Sequence, residues 1–469
     1  MQWFRKAPKG KDGGIRLGDG ASAGGEGGKG DRPRLMVAHF MLGNTYPFTD
    51  KDWETTLDLA EATSLDALVL NLGPEDWQLR QAQRAYSLVA APKRDIKLFL
   101  SLDMNVLPPD PAVLVDKVLQ IVGGGNAAQL RWGGGIVLST FSGQQMDAGW
   151  RDVIAGVEQG LGEKVFFWPS LFLPPHEILA KDYVHGAFHW NGAWPMGNYT
   201  TDLDEDRAFL RHDKPYMAAV SPLFFTHYGT EGQWAWNKNW IYRSDDLLLP
   251  TRFQQLLSLP AEQAPSIIQV ISWNDYGESH YIAPILGAQP GSESWTEGMD
   301  HEGFRWLVSF FARKWRDGAS DIEALQSTGR VVLWYRPQSK SMTDSVDAVA
   351  KPEHAEWAQD LLNFFIVVPG DPSTSTTYTL TVLNGAQQNL STMKFKDGEV
   401  VLHAIPYVPG PVRFEITDDR ARVLISGDGK DITISGLGDG KHGEGGGGSK
   451  GWNYNMWSKV YRGVESGTG

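Results

Sequence analysis

The chain of 469 residues contains no cysteine, so disulfide bonds and thiolate metal sites are excluded. It also lacks any run approaching the ~18–20 apolar residues that a membrane-spanning helix needs. The opening stretch, MQWFRKAPKGKDGGIRLGDGASAGGEGGKGDRPR, has no apolar centre and does not read as a signal peptide. The expected location is therefore the cytoplasm, or release without a leader; secretion would follow only if a leader had been removed. Positive charge is in deficit: 43 Lys and Arg stand against 56 Asp and Glu, a net charge of −13. That balance argues against nucleic acid and anionic membranes as partners and suits a neutral ligand. Tryptophan, by contrast, is abundant at 19 residues. Some must fill the core, but so many also point to a surface that holds the flat C–H faces of sugar rings.

The length exceeds one ordinary core, so two domains are expected after a Gly-rich, disordered tail over residues 1–32. From Leu35 onward, short apolar runs recur at 35–40, 67–72, 96–102, 135–139, 165–168, 184–189, 215–220 and 267–273. They are near-continuously apolar, as strands buried on both faces of a parallel sheet must be. Helical spacing separates them. Thr49 is a candidate N-cap with Asp52 three residues on, and Leu114, Val115, Val118, Leu119 and Val122 form a stripe that stops at Gly123. The expected fold class is α/β: a (β/α)8 TIM barrel catalytic domain over residues 33–320. The long connection at 221–265, with Trp234, Trp236 and Trp240, reads as an excursion over the active-site face. Beyond about residue 320, short β runs punctuated by Pro, Gly, Asp and Asn predict an antiparallel β-sandwich over 321–469. Within it, 443–448 is expected to be a flexible loop and GWNYNMWSKVYRG a closing strand.

One segment concentrates the chemistry: IIQVISWNDYGESHYIAP, residues 267–284. A core strand ends and at once releases Trp273, Asn274, Asp275, Tyr276, Glu278, His280 and Tyr281. Glycoside hydrolysis needs two carboxyl groups across the scissile bond, so Asp275 and Glu278 are the candidate catalytic pair. Side chains at the C-terminal strand ends of such a barrel gather on one rim. That rim would carry His39, Asn71, Asp103, Trp190, Trp194, His227 and Tyr228, which with Trp273, Asn274, His280 and Tyr281 make the expected substrate-binding set. The alternatives are structural: a rim histidine for His39, an N-cap for Asp103, packing for Trp190 and Trp194. A metal site from His39, His189 and Asp275 has no supporting ligand spacing, so no metal or other cofactor is expected.

The segments LMVAHFMLGNTY, DALVLNLG, LFLSLDMN, PYMAAVSPLFFTHY and SWNDYGESHYIAP resemble the fungal α-1,3-glucanases, or mutanases, of glycoside hydrolase family 71. The resemblance spans residues 35 to about 315 in order and extends more weakly over the C-terminal β region. It implies a catalytic barrel with an appended sandwich, and hydrolysis of cell-wall α-1,3-glucan with inversion at the anomeric carbon by Asp275 and Glu278. Many members carry a leader and cysteines; this chain has neither and looks more like the intracellular members. Glu278 is favoured as acid and Asp275 as base, although the residues alone do not decide the roles. A turn at Gly277 would set the pair about 6.5–9.5 Å apart, the spacing that admits a water in an inverting enzyme. A monomer is expected. The alternatives are a non-catalytic glucan-binding barrel and a metal-dependent hydrolase.

Overall fold

The computed structural model describes residues 4–6, 15–17, 34–91, 94–123, 126–317, 329–368, 376–386, 388–396, 398–434 and 451–463. The fold is mixed α/β, built on a curled parallel sheet with further antiparallel sheets. Eight parallel strands form the curl: Leu35–Met41, Ala67–Leu72, Lys97–Asp103, Gly135–Phe141, Lys164–Phe167, Ala187–His189, Tyr216–Val220 and Ile267–Val270. Neighbours in sequence pair except Lys164–Phe167 with Ala187–His189, and Ile267–Val270 pairs back onto Leu35–Met41. The ladder ends at Lys164–Phe167 on one side and Ala187–His189 on the other. Between those ends, backbone N–H groups of His185 and Gly186 donate to the Phe167 carbonyl (2.9 and 3.2 Å), and that of Phe188 to Pro169 (3.2 Å).

These strands are apolar because both faces are buried. Val37, Val69, Phe99, Val137, Met217 and Ile267 belong to one apolar cluster inside the curl. Their chain neighbours Met36, Leu68, Leu98, Leu138, Ala218 and Ile268 belong to the cluster beneath the helices. The period of two along each strand produces that division. The expected helix start at Thr49 is observed: Thr49 and Asp52 form a capping box ahead of Asp50–Ala62. The stripe ending at Gly123 is the helix Pro111–Val122.

Residues 221–265 are more than a loop. A two-stranded antiparallel ribbon, Phe225–Tyr228 with Lys238–Ile241, is followed by the helix Leu248–Leu257. The ribbon is the excursion; the helix is the ordinary crossover before the eighth strand.

The later β region forms two antiparallel sheets. One runs in the order Phe4–Lys6, Ile15–Leu17, Val400–Pro406, Leu361–Val367, Arg330–Tyr335, Trp457–Arg462; the other runs Gln388–Lys396, Thr377–Asn384, Val412–Thr417, Val423–Asp428. Val331, Leu333, Leu362 and Phe364 share an apolar cluster with Leu380, Val382 and Phe414 of the second sheet. The alternate residues Val332, Trp334, Phe365 and Val367 face the other way, into the core that also contains Phe304, Phe310 and Phe311 of the helix Glu302–Asp317. The six-stranded sheet is thus a middle layer, buried on both faces. Arg336, at its end, donates from Nε to Asp245 Oδ1 (2.6 Å) and from Nη2 to Ser244 Oγ (2.7 Å), all buried.

Of the segment read as a disordered tail, Phe4–Lys6 and Ile15–Leu17 are described as strands, the latter paired with Val400–Pro406. The remainder of that tail lies outside the described residues, as does the loop 443–448. The closing strand is observed at Trp457–Arg462. Among the described residues no helix is long and apolar enough to cross a membrane.

Candidate active site

The residues after the eighth strand are held as a fixed irregular loop. Trp273 donates its backbone N–H to the carbonyl of His39 (2.7 Å), and Ser272 to that of His280 (2.8 Å). Asn274 works like a staple: its Oδ1 accepts from Met41 N (2.7 Å), its Nδ2 donates to Met41 O (3.2 Å), and its own carbonyl accepts from Asn44 Nδ2 (2.8 Å). This loop is therefore tied to the first strand through amide groups that cannot titrate.

Asp275 and Glu278 emerge from this loop half-buried and adjacent. One carboxylate oxygen of each and a ring nitrogen of His280 lie within 4.8 Å of one another. The backbone N–H of Glu278 donates to Asp275 Oδ1 (2.9 Å), and that of Asp275 to Ser272 Oγ (2.8 Å). The pair is thus closer than the expected inverting separation. Gly277 does not open it: the left-handed residue is Ser279 (φ 61°). What Gly277 permits is the approach of Tyr228, since a Cβ there would lie 2.5 Å from the Tyr228 hydroxyl.

The electrostatics are asymmetric. Burial raises the Asp275 carboxyl above its usual range, and the Glu278 charge beside it adds to that. Burial also acts to raise Glu278, but the hydrogen bond with His280 (3.1 Å) and the Lys238 ammonium (3.1 Å) outweigh it and hold Glu278 low. Burial and the neighbouring groups thus push the two carboxyls in opposite directions, Asp275 upward and Glu278 downward. Asp103, at the end of the third strand, is also raised by burial; Asn71 bonds its side chain, and it lies within charge reach of Lys238 and Glu278. His39 is buried below the pair, lowered to about 3 by burial first and by His280 second, so it is neutral.

Among the expected binding residues, His39, Asn71, Asp103, Tyr228 and His280 do gather around the pair. Trp194 stacks on His280 (centroids 5.7 Å, 17°), making the wall behind it, and Trp190 sits edge-on to His39 at 4.7 Å. Both tryptophans are buried in the cluster inside the curl, which is a packing role. Three others face away from the cleft. Trp273 is buried in the cluster beneath the helices. His227 is engaged by Asn239 (2.7 Å) and Asp347 (2.9 Å). Tyr281 donates its hydroxyl to Met299 O (2.6 Å), accepts from Asn455 Nδ2 (3.3 Å) and stacks on His301 at 3.9 Å. His301 in turn bonds the Met456 carbonyl (2.8 Å). These residues brace the loop from behind.

The sequence reading missed Lys238. It stands in the ribbon of the long connection, and nothing local marks it; only the pairing of Lys238 with Tyr228 swings it over Glu278. A metal from His39, His189 and Asp275 is not assembled, because His189 pairs with Glu205 at 3.1 Å instead. Asp275, Glu278 and His280 have ligand-like proximity, but the Lys238 ammonium already occupies the position of a counter-charge.

The arrangement joins a carboxyl shifted upward, a carboxylate shifted downward and a third acid beside aromatic rings, a set suited to acid–base chemistry. The model of glycosyl hydrolase family 71 matches residues 32–441 of the chain. A glucan endo-1,3-alpha-glucosidase of Schizosaccharomyces pombe is 34% identical over 347 residues, covering 71% of this chain and 77% of that protein. An ascus wall endo-1,3-alpha-glucanase of the same organism is 28% identical over 70% of this chain and 78% of its own length. A mutanase of Penicillium rubens is 30% identical over 86% of both chains.

Proposed function

Because the chain belongs to glycosyl hydrolase family 71, we propose that it hydrolyses the α-1,3-glucosidic bonds of α-1,3-glucan. The observation that carries this reading is the adjacent Asp275–Glu278 pair, its two carboxyls shifted in opposite directions, with Lys238 against Glu278. We read the curled sheet as a (β/α)8 barrel carrying the site at its C-terminal rim, and the two antiparallel sheets as an accessory β-sandwich, with the boundary near residue 320. Release of reducing ends from insoluble α-1,3-glucan, with β-1,3-glucan and starch as controls, tests the substrate. Equal or greater release from either control overturns it.

In this mechanism Asp275 donates its proton to the departing glycosidic oxygen. Inversion then requires a carboxylate base on the far side of the sugar. Glu278 is too near Asp275 for the roughly 6.5–9.5 Å that inversion normally uses. Asp103, on a different strand end, fits the base position better, with Glu278 keeping Asp275 protonated by like-charge repulsion. The close pair favours one competing reading, retention through a glycosyl ester on Glu278, since retaining carboxyls stand about 5–5.5 Å apart. Proton NMR of the first product, followed before mutarotation, separates the two. The expected result is the β-anomer; initial α-anomer would establish retention.

Lys238 gives a pH test. It helps hold Glu278 below its ordinary range, so Glu278 stays ionised until the solution is strongly acidic. Lys238→Met removes a positive charge that lowers both Glu278 and the base Asp103, each titrates at higher pH, and the acid limb of kcat/KM is expected to move upward. Lys238→Arg should restore it. The alkaline limb, set by loss of the Asp275 proton, moves little. An acid limb unmoved in Lys238→Met would refute the assignment.

A further inference from the structure

Among the described residues, Trp234 and Trp236 are the two exposed tryptophans, at 37% and 47% of their surface. An exposed large apolar side chain is an informative observation where a buried one is not, and here two adjoin. They lie in the turn of the ribbon, between Phe225–Tyr228 and Lys238–Ile241. The turn is braced: Asn237 N donates to Gly229 O (2.9 Å) and Trp236 N to Trp234 O (2.8 Å). Trp234 lies flush against Gly291, where a Cβ would fall 2.4 Å from its Cδ1; Gly291 has φ 78°, so the close approach and the backbone both require glycine. Tyr228, the next ring inward, donates its hydroxyl to Pro290 O (3.1 Å) on that same supporting segment.

Successive edge-on ring contacts connect the two tryptophans to the loop that carries the acid pair. The Tyr228 hydroxyl lies against Gly277, between Asp275 and Glu278 in sequence. Trp236 is 4.5 Å from Tyr228 between centroids, and Trp234 is 5.4 Å from Trp236. Each step is comparable to the width of one pyranose ring. Resting on the glucanase reading above, we infer that Trp236 and Trp234 form a substrate-binding subsite that stacks glucosyl units of the same glucan chain beyond the bond being cleaved. The occupant is a neutral sugar ring rather than a charged partner: the exposed faces are indole surfaces, which cover C–H faces of a pyranose and offer no counter-charge. Continuity with Tyr228 and the catalytic loop favours the substrate over an unrelated protein. The subsite adds binding energy remote from the reacting bond, and such energy is realised only by substrates long enough to reach it.

The test is a length series of α-1,3-glucooligosaccharides together with the polymer, assayed on the full chain. For Trp236→Ala and Trp234→Ala, the ratio of kcat/KM on the longest substrate to that on the shortest cleaved one is expected to fall roughly tenfold, the loss of one good stacking contact. Trp236→Phe keeps an apolar ring and should lie between the wild type and Trp236→Ala. If the alanine variants unfold, Trp236→Phe and Trp234→Phe carry the comparison. A wild-type length ratio in folded variants overturns the subsite while leaving the glucanase reading intact. A wild-type enzyme idle on every α-1,3-glucan overturns that reading and this inference together.

Discussion

Asp275→Asn is expected to lower kcat by ~10²–10⁴, the usual worth of a positioned acid, and Glu278→Gln to lower it too, because the charge that keeps Asp275 protonated is gone. Their melting temperatures should stay close to wild type. The stability expectation follows from what each replacement keeps. In Asp275→Asn the amide oxygen can still accept from Glu278 N, so the turn between them persists. In Glu278→Gln the amide oxygen can still accept from Lys238, and what disappears is a partly exposed ion pair worth about 0–1 kcal/mol. The two variants differ in a second readout. Removing the Glu278 charge removes the repulsion that helps raise Asp275, so any residual activity of Glu278→Gln should lose its alkaline limb at lower pH than the wild type. Near wild-type turnover in either variant would eliminate that residue from the reaction.

The second large effect is on folding. A chain ending near residue 317 is expected to aggregate rather than yield a soluble enzyme. The helix Glu302–Asp317 presents Phe304, Phe310 and Phe311, which meet Trp334 and Phe365 of the six-stranded sheet at 5.0 to 6.2 Å between centroids. Uncovering a handful of such side chains, at roughly 1.5–3 kcal/mol each, sums to the order of 10 kcal/mol. That rivals the ~5–15 kcal/mol holding a typical domain together. The cut also strands Asp245, whose buried partner Arg336 would be gone, and an unpaired buried charge costs about 3–5 kcal/mol. Expression of the fragment, followed by size-exclusion chromatography and assay, checks this; a soluble, active monomer would mean that the two regions are energetically separate.

Much of this architecture was legible because burial leaves a simple imprint. Eight runs apolar on both faces had few other structures to join, and Thr49 with Asp52 announced a helix start that the capping box realises. The candidate segment stood out because acids and aromatics follow a core strand without a spacer. What the residues did not convey was direction. His227 lies in a ribbon strand that was read as loop, so its strand period went unused, and Tyr281 lies on irregular backbone, which gives no period from which to tell which way a ring points. Tyr281 turns to Met299 and Asn455. Lys238 was invisible for the converse reason: its importance comes from a ribbon pairing that lifts it over Glu278, and an isolated lysine in a long connection has no pattern of its own. The separation of the two acids was misjudged because Gly277 was credited with opening a turn, when its missing side chain instead makes room for Tyr228.

The brace behind the catalytic loop sets an order of events during synthesis. Asn455 touches Tyr281 across 174 residues of chain. At ~5–20 residues per second, a ribosome that has just made the acid pair needs about 9–35 s more to deliver the residues that brace it. For that interval the nascent chain carries its reactive carboxyls on an unbuttressed loop. A chain halted within the later sheets would therefore hold both carboxyls and lack the Asn455 contact that braces the loop from behind.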